Sequence, residues 1–300
     1  MNAPVLVIGF NRPERLDVAL KAVREARAPV VYIAIDGPRN ADEAKLVGEC
    51  RAVAESVDWA PVRTSFQERN LGCQRGVIDA VSWFFTHEDR GVIVEDDSVP
   101  DQSFFPFCDE LLERYADDHR VLAIAGESRV PAAVVSPEFS YRFSHMGPAG
   151  AWATWRDRWL SFVSSRIDRR PLRLLTALGH GDYAAPWLRL HWSALSLANR
   201  TSAMDSWAYP FMLEGIVNHR LTATPNINLV DDQGVGDAAS HMLDGDALAQ
   251  PHGALDFPLR HPEDVALDEA AEAWSIRNEV SSGPAHLVQS GTRFLRRLAR

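Results

Sequence analysis

Glu95, Asp96 and Asp97 stand side by side where an apolar run at residues 91–94 stops. Like charges this close raise one another's pKa unless a cation intervenes, so the arrangement asks for a counter-charge. Carboxylate oxygens are hard donors, and Mg²⁺ or Mn²⁺ is commonly shared between one or two of them and substrate phosphates. A divalent cation carrying a diphosphate is therefore the expected ligand of this stretch. Other polar residues fall at comparable places: Asn11 and Arg12 after one apolar run, Asp36 after the next, and Glu68 to Asn70 after a third. No Gly-x-Gly-x-x-Gly follows a run and no P-loop pattern occurs, so a glycine-rich cradle for phosphate is not expected.

Five short apolar runs, at 4–10, 30–36, 62–68, 91–97 and 121–128, must position these residues, and segments of helical period separate them. In the first helical segment Leu16, Val18, Leu20 and Val23 are expected to share a buried face. The second opens with Asn40 as a cap and an acidic first turn. β-branched runs separated by helices predict an α/β fold, a mostly parallel sheet covered on both faces. In such sheets ligands bind at the carboxyl edge, where the polar residues above collect.

Hydrophobic residues make up 46% of the 300, enough for a sizeable core, and the formal charge of -10 leaves no cation excess to displace counterions from nucleic acid. No nucleic-acid partner is expected. Cys50, Cys73 and Cys108 form no Cys-x-x-Cys pair and leave an odd thiol, which predicts neither a zinc knuckle nor a disulfide framework. A reducing, cytoplasmic setting follows. The first residues read directly as a strand rather than a signal peptide, and nowhere do apolar residues run for the ~18 that a membrane span needs.

The order of a strand, "FNRPERL", a strand ending in "DG", "NLGCQRGVIDAVSWFF", "GVIVEDDSVP" and later "WATW" resembles nucleotide-diphospho-sugar glycosyltransferases of the GT-A fold. It is similar to bacterial family-two-like enzymes and, more distantly, to the N-acetylglucosaminyltransferase I type with its EDD form of the DxD motif. The resemblance implies a Rossmann-like GT-A domain over 1–245, followed by a C-terminal extension over 246–300. It further implies that Arg12 and Asp36 hold the base and ribose, and that Asn70, Gly72 and Arg75 shape the donor pocket. Asp97 would ligate Mn²⁺ or Mg²⁺ directly, with Glu95 and Asp96 on ribose, sugar or metal-bound water. A UDP-sugar donor is favoured, with a hydroxyl of a bacterial surface glycan or lipid-linked glycan as acceptor.

The second half is expected to be an irregular, acceptor-binding part. Trp152 and Trp155, three apart, are expected on one side of a helix, where an aromatic face could stack on a sugar. Inverting transfer needs a carboxylate base. Asp205, just before Trp207, is similar to the acid that serves relatives, but Ala208 stands where many of them have a further acid, so Glu214 is a second candidate. Residues 224–241 read as a strand and a Gly-rich loop ending in His241, a second candidate metal ligand, with Asp231 and Asp232 as solvated turn residues. The end of the chain interleaves Arg293, Arg296, Arg297 and Arg300 with Phe294, Leu295 and Leu298. This tail could contact a membrane surface peripherally, or be solvated or meet another subunit. Two other readings stand beside the transferase: a sugar-1-phosphate nucleotidyltransferase, which would want a Gly-rich turn after the first strand, and an inactive glycan-binding module.

Overall fold

The computed structural model describes residues 1–165, 186–201, 204–233 and 250–280. Strands β1 (Val5–Gly9), β2 (Val31–Ile35), β3 (Val62–Phe66) and β4 (Arg90–Glu95) alternate with helices α1 (Pro13–Glu25), α2 (Ala41–Glu55) and α3 (Cys73–Phe84). A short β5 (Ser98–Pro100), α4 (Phe104–Arg114), β6 (Val121–Ala125), β7 (Tyr141–Ser144), β8 (Ala151–Trp155) and α5 (Arg156–Ser165) follow. Then come α6 (Pro186–Arg200), α7 (Ala208–Val217), β9 (Leu221–Pro225), β10 (Val230–Asp232), α8 (Glu269–Ser275) and a π-helical turn, Ile276–Val280.

Eight strands form one sheet in the order β3-β2-β1-β4-β8-β6-β9-β7, while β10 pairs with β5 in a separate two-stranded ribbon. β1 to β4, β6 and β9 run parallel, whereas β8 and β7 run against their neighbours. The expected mostly parallel α/β sheet is therefore the observed one. From β1 the chain winds outward through β2 to β3, then returns to place β4 on the other side of β1. That reversal is a topological switch point, where the connections leave in opposite directions and a crevice opens at the carboxyl ends.

Period-two alternation divides the apolar side chains between two faces. Val5, Val7, Ile33, Val92 and Val94 face a core closed by α1, α2 and α4, while Leu6, Tyr32 and Ile93 face one closed by α3, α5 and α7. The α1 face differs from expectation by one residue: Leu16, Ala19, Leu20 and Val23 are buried, and Val18 is half-buried. Position 18 lies two residues from both 16 and 20, off the 3.6-residue stripe. Asn40 does cap α2, its side chain accepting from Glu43 N at 3.0 Å. The 62–68 run proves to be an edge strand, with Arg63 and Thr64 exposed.

The Trp-rich stretch departs more sharply. Residues 151–155 form a strand and not a helix, so Trp152 and Trp155 lie on opposite faces and join different cores. Asp231 and Asp232 lie in β10 rather than in a turn, with Asp232 opposite Ser98. Cys50, Cys73 and Cys108 are free thiols. Among the described residues no helix is long and apolar enough to cross a membrane. The basic tail and His241 lie outside the described residues.

Candidate active site

The switch point brings the ends of β1 and β4 together. Asp96 N donates to Ile8 O at 2.9 Å, and Phe10 N donates to Asp96 Oδ2 at 3.1 Å, which fixes the carboxylate against the turn leaving β1. Pro13, at the first position of α1, ends that turn where its missing N–H costs nothing. Arg12 therefore projects toward the acidic triplet: its Nη1 lies 3.0 Å from Asp97 Oδ2 and 3.8 Å from Asp96 Oδ1. This guanidinium is a counter-charge within the protein for the triplet, and the charge of Arg15 adds to it at Asp96.

The three carboxylates sit in different surroundings. Glu95 is pushed up to about 8, first by burial and then by the charges of Asp97 and Asp96, against hydrogen bonds from Gly150 N and the Trp207 indole. Asp96 is raised to about 6, again chiefly by burial and then by Asp97, with Arg12 opposing. Asp97 is the most open of the pair beside Arg12, its side chain 29% exposed against 12% for Asp96. Glu95 thus rests on protein, and Asp97 faces outward. Gly150 adopts φ +64° beside Ser98, and a Cβ there would collide with the Ser98 hydroxyl. Bare backbone at this position lets β8 begin close against the triplet.

The segment 70–76, before and into α3, is held by two other carboxylates. Asp36, at the end of β2, accepts from Gly37 N at 2.8 Å, Asn70 Nδ2 at 2.9 Å, Leu71 N at 3.0 Å and Gly72 N at 3.3 Å. Its pKa is raised by burial and, more weakly, by the charge of Asp205, while the N–H donors pull the other way. Asp205 accepts from Cys73 N at 2.8 Å and Gln74 N at 2.9 Å, so it caps α3 from 132 residues beyond the helix start. Gly72 carries φ +82° and ψ 169°, and a Cβ on it would lie 2.6 Å from Asp205 Oδ2. Between these groups sits Cys73, whose thiol is pushed up by burial and by the charges of Glu95, Asp205 and Asp97. The two N–H bonds place the first turn of α3 against Asp205.

The structure brings together Arg12, Asp36, Asn70, Gly72, Glu95, Asp96, Asp97 and Asp205, and leaves three expected residues elsewhere. Arg75 points outward on α3, 67% exposed and 3.7 Å from Asp79 one turn on. Trp152 is fully buried and stacks on Trp207 at 4.8 Å between ring centroids, so neither of its faces can meet a sugar. Glu214 is fully buried on α7 among Arg220 Nη1 at 3.2 Å, Asn218 Nδ2 at 3.1 Å and Ser161 Oγ at 3.3 Å. Arg220 immediately precedes β9, at the amino edge of the sheet, so Glu214 lies at the end opposite the triplet. Burial raises its pKa, with the Arg220 charge opposing.

Two contacts escaped the sequence. Trp207 joins Glu95 to the aromatic layer of Trp152 and Phe211. Gln233 N, just past β10, donates to Asp97 O at 2.8 Å and tethers the end of the ribbon to the triplet. Neither pairing has a local sequence signal, because each joins segments more than a hundred residues apart.

Among the described residues no three His, Cys, Asp or Glu side chains converge into a metal-holding set. The donor chemistry at Asp97 nonetheless suits a hard cation: a carboxylate 29% exposed, with two more acids beside it in the chain. Mg²⁺ and Mn²⁺ sites of this kind take one or two protein carboxylates and complete their shell with phosphate and water.

No family model matches the chain, and no curated protein matches it. Among solved structures, a mannosyltransferase from Pyrobaculum calidifontis in complex with GDP-Man and Mn²⁺ is similar at 13% identity over 73% of this chain and 70% of that one, TM-score 0.40. A 4-diphosphocytidyl-2C-methyl-D-erythritol synthase from Anaerococcus prevotii DSM 20548 is similar at 8% identity over 55% of this chain and 77% of that one, TM-score 0.36. HddC from Yersinia pseudotuberculosis gives 8% identity, 52% and 77% coverage and a TM-score of 0.31. Likenesses this slight assign no residue or activity to the present chain.

Proposed function

We propose that this chain is a glycosyltransferase that moves a sugar from a nucleotide-diphosphate donor, UDP-linked by preference, to a hydroxyl of a surface glycan or lipid-linked glycan. The observation that carries the reading is the acidic triplet at the β1/β4 switch point, facing outward through Asp97, which Arg12 pairs. Asp97, with Asp96 behind it, would hold Mn²⁺ or Mg²⁺. When bound, the cation supplies charge stabilisation to the departing diphosphate.

The chain's own groups do the rest. Arg12 is the resident cation beside Asp97, and its guanidinium is suited to pairing with a donor phosphate oxygen. Asp36, spanned by Asn70 and the N–H groups of 71 and 72, fixes the wall of the pocket next to α3. In an inverting transfer the acceptor hydroxyl must lose its proton as the anomeric carbon develops positive charge. Asp205 is the carboxylate for that step: it shares the neighbourhood of Cys73 with Glu95 and Asp97, and two backbone N–H groups orient it. Each of its oxygens keeps a second lone pair for the incoming proton.

Calorimetric titration with UDP in the presence and absence of Mn²⁺ tests the reading. Metal-dependent binding is expected, and Asp97→Ala should abolish it. Binding indifferent to chelator, or intact in the variant, would refute the metal role. The absence of any nucleotide binding would favour the glycan-binding module, and pyrophosphate release from a nucleoside triphosphate and a sugar-1-phosphate would favour the nucleotidyltransferase.

A further inference from the structure

The chain from β7 to β8 has little slack. Ser144, the last residue of β7, pairs with Thr222 of β9, which is level with Ala123 of β6. Ala125 pairs with Trp152, and Gly126 N donates to Ala151 O at 2.9 Å, so Gly150 lies four registers beyond Ala123 toward the carboxyl edge. Strands β9 and β6 also stand between β7 and β8. Three interstrand spacings of ~4.8 Å across and four rises of ~3.3 Å along put Ser144 and Gly150 roughly 19 Å apart, whereas six residues reach at most about 20–22 Å. Residues 145–150 therefore cross the sheet nearly fully extended, and no helix or turn shortens 146–149.

Both ends of this strap are fastened. At the far end Gly150 N donates to Glu95 Oε1 at 3.3 Å, and Glu95 N donates to Gly150 O at 2.8 Å. At the near end the fastening is Glu272, fully buried on α8. Its Oε2 accepts from Ser144 Oγ at 2.7 Å and from His145 N at 3.2 Å, and Ser144 Oγ in turn accepts from Met146 N at 3.0 Å. Asp268 caps α8 by accepting from Ala271 N at 3.0 Å, which fixes the turn that carries Glu272. Between the ends, Gly147 passes Met212 of α7 so closely that a Cβ would come within 3.0 Å of it. A buried carboxylate is costly unless its hydrogen bonds are made, so the near end is held firmly. A slack segment would absorb a displacement of that end, but a taut one passes it on to Glu95.

We propose that Glu272 is a positioning residue for the acidic triplet, holding Glu95 in place through the strap at 145–150. The hold itself is measured without substrate, and only its effect on donor binding rests on the transferase reading.

Hydrogen exchange of the full chain, read by mass spectrometry, is the test. Glu272→Ala should raise exchange about tenfold or more at the Glu95 and Gly150 N–H groups, while β2, two strands from Glu95, keeps its protection. Glu272→Gln, whose amide oxygen can still accept from Ser144 and His145, should restore the parent behaviour. Two glycines inserted between Gly147 and Pro148 add about 7 Å of chain. That variant should lose protection at Glu95 and Gly150 and keep it at His145 and Met146, where the hold by Glu272 is untouched. Affinity for UDP with Mn²⁺ should fall severalfold in the variants that lose this protection and stay level in Glu272→Gln. Unaltered exchange at Glu95 and Gly150 in Glu272→Ala or in the insertion variant would overturn the proposal. So would a loss of protection that spreads to β2, the mark of a merely structural role, or a Glu272→Gln protein that exchanges as fast as Glu272→Ala. A parent protein that binds no nucleotide would remove the transferase reading and leave the exchange result to decide the strap.

Discussion

Replacing Asp205 separates the capping that the structure shows from the catalytic role proposed for it. In Asp205→Ala the N–H groups of Cys73 and Gln74 lose charge-assisted hydrogen bonds of 2.8 and 2.9 Å, and the positive end of α3 loses its anion. Hydrogen bonds to a charged group contribute roughly 1.5–3 kcal/mol each, and the dipole adds about 0.3–1 kcal/mol. Asp205 is only half-buried and water can reach the freed groups, so the sum is discounted to about 2–4 kcal/mol. For a chain of 300 residues that lowers the melting temperature by roughly 3–6 °C. Thermal unfolding of the free protein measures it, and a loss below about 0.5 kcal/mol would refute the capping argument. Asp205→Asn then isolates the chemistry, since it keeps one acceptor oxygen but cannot take a proton at neutral pH. If Asp205 is the base, kcat in a sugar-transfer assay should fall by about 10²–10⁴ while nucleotide affinity changes little. Turnover near the parent level in Asp205→Asn would leave it a cap and nothing more.

Gly72→Ala should destabilise by about 1–3 kcal/mol, because the backbone at φ +82°, ψ 169° is a region open essentially to glycine and the added Cβ meets Asp205. In a double-mutant cycle with Asp205→Ala the two losses should be less than additive. Glu214→Gln should leave transfer unchanged but flatten the pH dependence of stability. The folded pKa of Glu214 is raised above its ordinary 4.5, so the native state holds the proton more tightly and stability falls as pH rises from that value. A slope between acid and neutral pH identical to that of the parent protein would contradict this. Trp152→Ala should cost about 3–5 kcal/mol as a core truncation. A stable Trp152→Ala protein with selectively weakened donor binding would show instead that the ring meets the sugar.

Period and punctuation settle much of the first half. The runs that became β1, β2, β4 and β6 are continuous apolar stretches broken by helical segments, and such stretches are stable only in a sheet covered on both faces. Asn40 marks a helix start because its effect is on the nearest backbone. The acidic triplet was legible for the same reason: its repulsion is a property of three neighbours, whatever the fold. Trp152 and Trp155 misled because a spacing of three suits one face of a helix, and in the strand that five residues of Ala-Trp-Ala-Thr-Trp form it sends the rings to opposite sides.

The chain by itself determined the alternation of strands and helices, the place where negative charge concentrates and the absence of a glycine-rich phosphate loop, since each depends on residues close in sequence. Tertiary structure alone decided that Arg12 balances Asp97, that Asp205 caps a helix begun 132 residues earlier, that Glu214 lies at the far edge of the sheet and that Trp152 is sealed beneath Trp207. These facts depend on strand order and on the return of β4 beside β1. Only packing of the whole sheet selects that order, because the same local patterns are compatible with several windings.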